Sequence, residues 1–587
     1  MRLIKTSIDF SGSKSADDVV LLGSWCISEE MIGQREQYTT VHYHWDNRDK
    51  YNADYIFLTT LYEKTLISLT RLLNETHNLN KNINYWRIII GPWLRFFIDA
   101  LFDRYECVKE AKKIDGLNLC NILPYDLDNW TVNDFGDFYN DLTSDEWNEV
   151  IFSECVKYQD LSYIEINHSP VQPNRDLKKP VKIQKKIKNT VKIIITRYAK
   201  FLKNYKKGIV FIGPYMSIAK YLNLNFKLRQ APYNINGIVV APKSSQNHKM
   251  RSKLSLVNDK KTFEDFMSHM LPKFMPKIYL ESFLLTRSEI LKNLPEKPKA
   301  VFTAIGYQAD DIFKIWTAEQ KELGTPLIIG QHGGHMGIGK NSQPLDHQLL
   351  IASKFLSWGW KSKQHNNVIK LPSILLSGLG VLKPVSKGHI LHIIGSLPRY
   401  FYCHYSVPVA GQYLSYLDNQ LKFLSKLNGS SFEAVRIRLP REFQLGYWDL
   451  NKFFDLQGYS QYVDRSNKEI WSLIEDSRLC VCTQNGTAFL QTLSRNFPTI
   501  VFWDRNLNEI NPVAQPFVDL LVDAGILFYS PEEAAEKVNK IKNNINEWWC
   551  SDKVQSARIK FCENFAFSSE SWLNEWSEFL SLTKGLP

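Results

Sequence analysis

The sequence predicts an α/β protein of two Rossmann-like domains facing across a cleft, with a helical insertion in the first. Three observations predict it. Short apolar runs of strand length alternate with longer amphipathic segments through most of the chain, the pattern of parallel sheets covered by helices. Several of those runs end in glycine- or hydroxyl-rich turns, as at Gly330 to Gly339 and Thr483 to Thr487. A chain of 587 residues with 44% hydrophobic content also exceeds what one core holds.

In the first half the strand candidates are Val19 to Gly23, Gly208 to Gly213, Ala300 to Ala304 and Pro326 to Gly330. The long interval between the first two contains helix-like stretches, Tyr55 to Leu73 and Trp93 to Cys107, followed by an acidic segment near Asp134 to Glu146. It reads as an insertion over about 50–205 within a domain spanning 1–380. A Pro- and Gly-containing stretch, Pro372 to Lys387, is the candidate linker. The second series is more regular: strand His389 to Ile394, helix Gly411 to Leu427, strand Ala434 to Leu439, helix Asn467 to Ser477 and strand Leu479 to Cys482. Helix Thr487 to Arg495, strands Thr499 to Trp503 and Gly525 to Tyr529, and helix Pro531 to Trp549 complete a domain over 381–560. The remaining 561–587 holds a helix, Ser569 to Leu582, expected to cross back onto the first domain.

The chemistry-bearing segments sit at predicted strand ends, where ligands bind in open α/β sheets. After Pro326 to Gly330 comes Gln331-His332-Gly333-Gly334-His335, in a stretch with five glycines among ten residues. Such a loop permits close backbone approach to a ligand at an entropic cost that a plain connector need not carry. His332 is a candidate general base, and Gln331, Gly333, Gly334 and His335 complete the candidate active-site loop. The competing reading has the histidines capping or packing a tight turn. His332 and His335 would share a metal only on a helix, which the glycines disfavour, and no metal is predicted.

In the second domain Gln484, Asn485, Gly486 and Thr487 follow a strand and open a helix, so their N–H and hydroxyl groups suit a phosphate. Ordinary N-capping is the alternative. Arg438 at one strand tip, and Ser396 and Arg399 after another, add anion-binding groups to the same crevice. At the amino end Glu29 and Glu30 follow Val19 to Gly23; Glu30 is the second candidate base, or a first-turn acid complementing a helix dipole. Asp126-Leu-Asp128 lies outside both predicted sheets and reads as a surface loop.

Charge and targeting narrow the class. The net charge is +11, but Arg175 to Lys207 holds thirteen Lys or Arg against one acid, Asp176, leaving the rest near neutral. Apolar residues there recur at three- and four-residue intervals, so a basic amphipathic helix is expected over 178–207, suited to an anionic membrane surface or simply solvated. With the charge confined to one segment and no zinc-finger spacing or RNP-type motif, no nucleic-acid partner is expected. Nine cysteines show no disulfide framework. The amino end lacks a signal-peptide core, and a cytoplasmic location is expected, peripheral on the inner face of the membrane if the basic helix binds it.

The segments Leu22-Gly-Ser-Trp-Cys26, Trp86-Arg-Ile-Ile-Ile-Gly-Pro-Trp93, Gly330-Gln-His-Gly-Gly334, Ser357-Trp-Gly-Trp360 and Thr483-Gln-Asn-Gly-Thr487 resemble a family of transferases from bacterial O-antigen and surface-polysaccharide loci. The resemblance spans nearly the whole chain. It implies a two-domain glycosyltransferase-like enzyme of the GT-B type, with a nucleotide-sugar donor on the carboxy-terminal domain, a glycan or lipid-linked glycan acceptor on the amino-terminal one, and no cofactor. A looser likeness extends to transferases using CMP-activated acidic sugars and to the glycerophosphotransferases of teichoic acid synthesis. Arg438-Leu-Pro440 and Asn485-Gly-Thr487 occupy comparable places, whereas the histidine–proline pair and paired serines of those groups are absent. The function expected is sugar transfer to a surface glycan. A CDP-polyol phosphotransferase and a non-catalytic nucleotide- or glycan-binding scaffold are the alternatives.

Overall fold

A computed structural model describes residues 1–10, 16–117, 119–175, 208–233, 235, 237–254, 261–440 and 446–582. The basic helix expected over 178–207 lies outside the described residues. The architecture is α/β, with three parallel five-stranded sheets following one another along the chain.

The first sheet has β1 (Arg2–Ile4), β2 (Val19–Leu21), β3 (Thr39–Thr40), β4 (Leu119–Ile122) and β5 (Tyr163–Glu165) in the order β3-β2-β1-β4-β5. The second has β6 (Ile209–Ile212), β7 (Ala300–Thr303), β8 (Leu327–Gly330), β9 (Lys354–Ser357) and β10 (Val368–Lys370) in the order β10-β9-β8-β7-β6. The third has β11 (His389–Ile393), β12 (Val435–Arg438), β13 (Ser477–Cys482), β14 (Thr499–Phe502) and β15 (Leu527–Phe528) in the order β12-β11-β13-β14-β15. Strands β6, β7, β8 and β14 are buried along their whole length, as expected of a parallel sheet covered on both faces.

The first half thus differs from the sequence expectation in its number of sheets. Val19 to Gly23 and Gly208 to Gly213, read as one series, belong to different sheets, and β4 and β5 arise inside the supposed insertion. The physical reason is weak local signal. β3 is two exposed threonines and β5 is exposed throughout, so neither shows an apolar run.

Two long helices fill the interval between β3 and β4: α1 (Arg48–His77) and α2 (Ile83–Ala111), each opened by an asparagine whose side chain accepts a backbone N–H, from Lys50 and Tyr85 respectively. Helix α2 is buried almost all round. Its charged groups survive burial because each is paired. Arg95 Nε donates to Asp99 Oδ1 at 2.8 Å, and Asp99 Oδ2 lies 2.9 Å from His404 Nδ1. Arg104 donates to Asn148 Oδ1 at 2.8 Å and to the Phe401 carbonyl at 2.6 Å. The aromatic, arginine-bearing stretch Tyr85 to Arg104 is therefore core.

These pairs clamp the segment after β11 onto the amino-terminal helices. Arg48 adds a two-pronged contact to Glu509 at 2.7 and 2.9 Å, and Tyr51 both donates to the Tyr405 carbonyl at 2.7 Å and accepts from the Tyr405 N–H at 3.1 Å. At the other end of the chain, helix Trp572–Leu582 inserts Trp572, Trp576 and Leu580 among Phe211, Phe302, Ile328 and Leu356 of the second sheet.

Candidate active site

The second and third sheets meet through the loops at their carboxyl ends. The loop after β8 is zipped to the third sheet's loops by backbone bonds: Lys340 N to Glu509 O at 2.9 Å, Asn511 N to Ile338 O at 2.8 Å, and Ser406 N to Asn341 O at 3.1 Å. The two sequence motifs touch directly. Gly334 N donates to Thr487 Oγ1 at 3.2 Å, and a Cβ on Gly334 would fall 2.3 Å from the Gly486 carbonyl oxygen. Glycine is required at 334 because its neighbour is backbone, which cannot rotate away.

Gln331 fixes the loop. Its amide oxygen accepts from Trp358 N and Trp360 Nε1, both at 2.8 Å, and its NH2 donates to the Gly333 carbonyl at 2.8 Å. With its amide committed on both sides, Gln331 positions the turn. His332 stands beyond it, its ring 6.1 Å from those of Tyr215 and Tyr307. Its Nδ1 is buried without a hydrogen-bond partner among the described residues. Burial pushes its pKa down to about 4, since a low-dielectric site disfavours the imidazolium. The ring is therefore neutral at pH 7, the state a general base needs. If it acts so, the base-competent fraction falls only below about pH 4, and the acid limb of kcat/KM should lie near 4 rather than near the usual histidine value of 6.5. His335 is placed differently: its ring packs under Gly339 and edge-on to Tyr405 at 5.3 Å, and both its ring nitrogens are buried without a side-chain hydrogen bond among the described residues.

On the third sheet the helix Thr487–Ser494 starts after β13, with Gly486 at its N-cap. Thr483 Oγ1 donates to the Ile393 carbonyl at 2.9 Å, so the Tyr416 hydroxyl, 2.5 Å away, donates to Thr483 and accepts from Gly395 N at 2.7 Å. This locks the ends of β11 and β13 together. Asn485 is buried, and neither its amide oxygen nor its amide nitrogen has a partner among the described residues. Leaving such a group unsatisfied costs on the order of 1–3 kcal/mol, so Asn485 is suited to bonding a ligand at this helix start. Gln484 lies against Gly395, where a Cβ would come within 1.9 Å of its amide oxygen. Ser396 is half-buried just beyond. Arg438, buried at the carboxyl end of β12, is in register with Ile393.

Two predicted residues are placed elsewhere. Arg399 donates to the Trp25 carbonyl and, at 3.2 Å, to the Ile27 carbonyl; it pairs with Asp145 at 3.4 Å and lies 5.0 Å over the Trp448 ring. Its guanidinium holds the loop after β11 against the first sheet, with Nε buried and without a partner among the described residues. Glu30 forms an exposed ion pair with Lys452, which holds its pKa down to about 2. The ion pair commits that carboxylate to the helix Leu450–Leu456.

Sequence reasoning missed two parts of the site. A narrow slot between the ends of β11, β13 and β14 is lined by Leu397, Tyr416, Gln484, Trp503 and Asn508. Trp503 Nε1 and Asn508 Oδ1 are buried there without partners among the described residues. Their signal was positional, since Trp503 directly follows β14. The second part is a cleft of about 650 Å³ at the ends of β6 and β7, lined by Asp134, Asp137, Asp310 and Asp311 over an apolar floor including Ile212, Ile278 and Ile305. Gly213 and Gly306 line it, and the nearby Tyr215 and Tyr307 face His332. Asp134 and Asp137 come from the segment read as insertion, which is why they carried no signal. Of groups able to hold a metal, His44, Asp103 and Cys107 come within ligand distance. Asp103 is already bonded to Tyr43 at 2.7 Å and to Arg104 at 3.0 Å, and burial keeps the Cys107 thiol protonated. This cluster is core.

No curated protein matches the chain. Among solved structures it is similar to Acinetobacter baumannii MurG, at TM-score 0.33 and 10% identity over 64% of this chain and 99% of that one. It is likewise similar to α,α-trehalose 6-phosphate synthase from Burkholderia multivorans, at TM-score 0.33 and 11% identity over 64% and 98%. A family model described as LIC12162 family transferase matches residues 1–580. The chain therefore belongs to the LIC12162 family of transferases.

Proposed function

We propose that this protein is a glycosyltransferase of the GT-B type, moving a sugar from a nucleotide donor to a hydroxyl of a glycan acceptor. The observation that carries the reading is the contact between the histidine loop and the helix start, Gly334 N to Thr487 Oγ1 at 3.2 Å. It joins the loop that carries His332 to the helix start that suits a phosphate, which supports a base and a phosphate site acting on one donor. The donor phosphate is held by the Asn485 to Thr487 helix start, with Arg438 nearby, and the nucleoside lies toward Trp503 and Asn508 at the carboxyl end of the same sheet. The acceptor occupies the cleft bounded by Asp134 and Asp310, whose carboxylates accept bonds from sugar hydroxyls. His332 takes the proton from the attacking hydroxyl, and the helix start stabilises the departing phosphate.

The resemblance to surface-polysaccharide transferases favours an O-antigen or related acceptor, and the looser likeness favours a CMP-activated acidic sugar. Slow donor turnover tests the reading. The protein is incubated with CMP-, CDP-, UDP-, GDP- and ADP-linked donors in EDTA, and products are identified by mass spectrometry. Consumption of one nucleotide-sugar with release of free sugar and nucleotide is expected. Release of a polyol phosphate and CMP would instead identify a CDP-polyol phosphotransferase, and no turnover of any donor would favour a non-catalytic scaffold.

A further inference from the structure

The helix Ile218–Lys227 follows edge strand β6 and is opened by Ser217, whose side chain accepts the Lys220 N–H. Its inner face is accounted for. Leu224 is fully buried in the cluster containing Trp572, Trp576 and Leu580, and Lys220 Nζ donates to the Ile374 and Ser377 carbonyls at 2.5 and 2.6 Å. Its outer face carries Ile218, Leu222 and Phe226, at 78%, 48% and 85% exposure. Spaced four residues apart, they form one ridge along the helix. Three large apolar side chains aligned in water are an unusual surface for a monomer, unlike single scattered ones.

Charge indicates what covers this ridge. From Leu177 to Asn258 the sequence runs 82 residues with nineteen Lys or Arg and no Asp or Glu, and the helix lies within that stretch. Among the described residues Lys227 and Arg229 are exposed at its carboxyl end, with Lys243, Lys249 and Lys253 exposed further along. Apolar side chains for the acyl boundary combined with Lys227 and Arg229 at the same helix end match an anionic lipid bilayer. A nucleic acid would use the charge but not the ridge. The turn that leads from β6 into this helix carries Tyr215, whose ring lies 6.1 Å from that of His332.

We propose that the ridge Ile218, Leu222 and Phe226 inserts into the interface of an anionic membrane, with Lys227 and Arg229 on the headgroups. Docking in this way sets the mouth of the His332 site at the bilayer surface. The site then meets acceptors carried on a lipid. The membrane contact stands independently of the sugar-transfer reading, because its test uses no substrate.

The test is co-sedimentation of the full chain with vesicles of phosphatidylcholine alone and of phosphatidylcholine with phosphatidylglycerol. It is run for wild type and for the triple variant Ile218→Ser, Leu222→Ser, Phe226→Ser, with thermal melting as the folding control. Wild type should bind the phosphatidylglycerol vesicles, and the triple variant should lose about tenfold or more in affinity at unchanged melting temperature, since the three side chains lie outside the core. Absence of wild-type binding would overturn the proposal. So would equal binding by the variant, which would assign attachment to charge alone. A wild-type dimer that the substitutions convert to a monomer would also overturn it, making the ridge a contact between copies of the chain.

Discussion

His332→Ala should lower transfer by roughly 10²–10⁴-fold, the range of a lost general base, while leaving nucleotide binding intact. The separation of effects is the informative part. His332 lies on the loop of the second sheet, whereas Asn485, Trp503 and Asn508, the groups proposed for the nucleotide, belong to the third. Removing the ring leaves those groups untouched, so KM for the donor should hold and kcat should fall. The ring contacts only Tyr215 and Tyr307 edge-on or tilted among the ring pairs of the described residues, so stability should change little. Normal turnover in the variant would show that another group accepts the proton.

Gly334→Ala should have the second large effect, through geometry. The new methyl would sit 2.3 Å from the Gly486 oxygen and 2.6 Å from its carbon, with Leu490 at 2.9 Å. None of the backbone can turn aside, so the loop and the helix start must separate. The cost should be about 1–3 kcal/mol of overpacking, together with loss of the Gly334 to Thr487 bond and at least about a hundredfold in activity. Gly333→Ala is the matched control, because a Cβ there meets nothing within 4 Å. Equal activity losses at 333 and 334 would mean that loop flexibility, not the fit between the two motifs, is what the glycines supply.

The sequence carried the third sheet almost completely, because its strands are apolar runs separated by well-patterned helices such as Gln412–Lys426 and Pro531–Ile541. Of the first sheet only β2 was legible, as the apolar run Val19 to Gly23. Strands as short as Thr39–Thr40 acquire their structure from partners far along the chain, and a helix buried on all sides like α2 shows little amphipathic periodicity. The meeting of the His332 loop with the Thr487 helix start was readable in part, since each motif sat at a strand end where ligands bind. Its detail was not. Arg399 read as a phosphate ligand from its position after β11, yet it bonds the carbonyls of Trp25 and Ile27. Nothing local announces a partner more than 370 residues away in sequence. Likewise Glu30 read as a candidate base until Lys452 was found beside it.

The most direct measurement of the central claim is a thermal-shift panel of CMP, CDP, UDP, GDP and ADP in EDTA, run on wild type and Asn485→Ala. Ligand binding raises the melting temperature by mass action. One nucleotide family should stabilise the wild type, and Asn485→Ala, which removes a buried unpartnered amide, should melt no lower than wild type alone while losing most of that shift. No shift with any nucleotide, or an undiminished shift in the variant, would contradict a donor site at the Asn485 to Thr487 helix start.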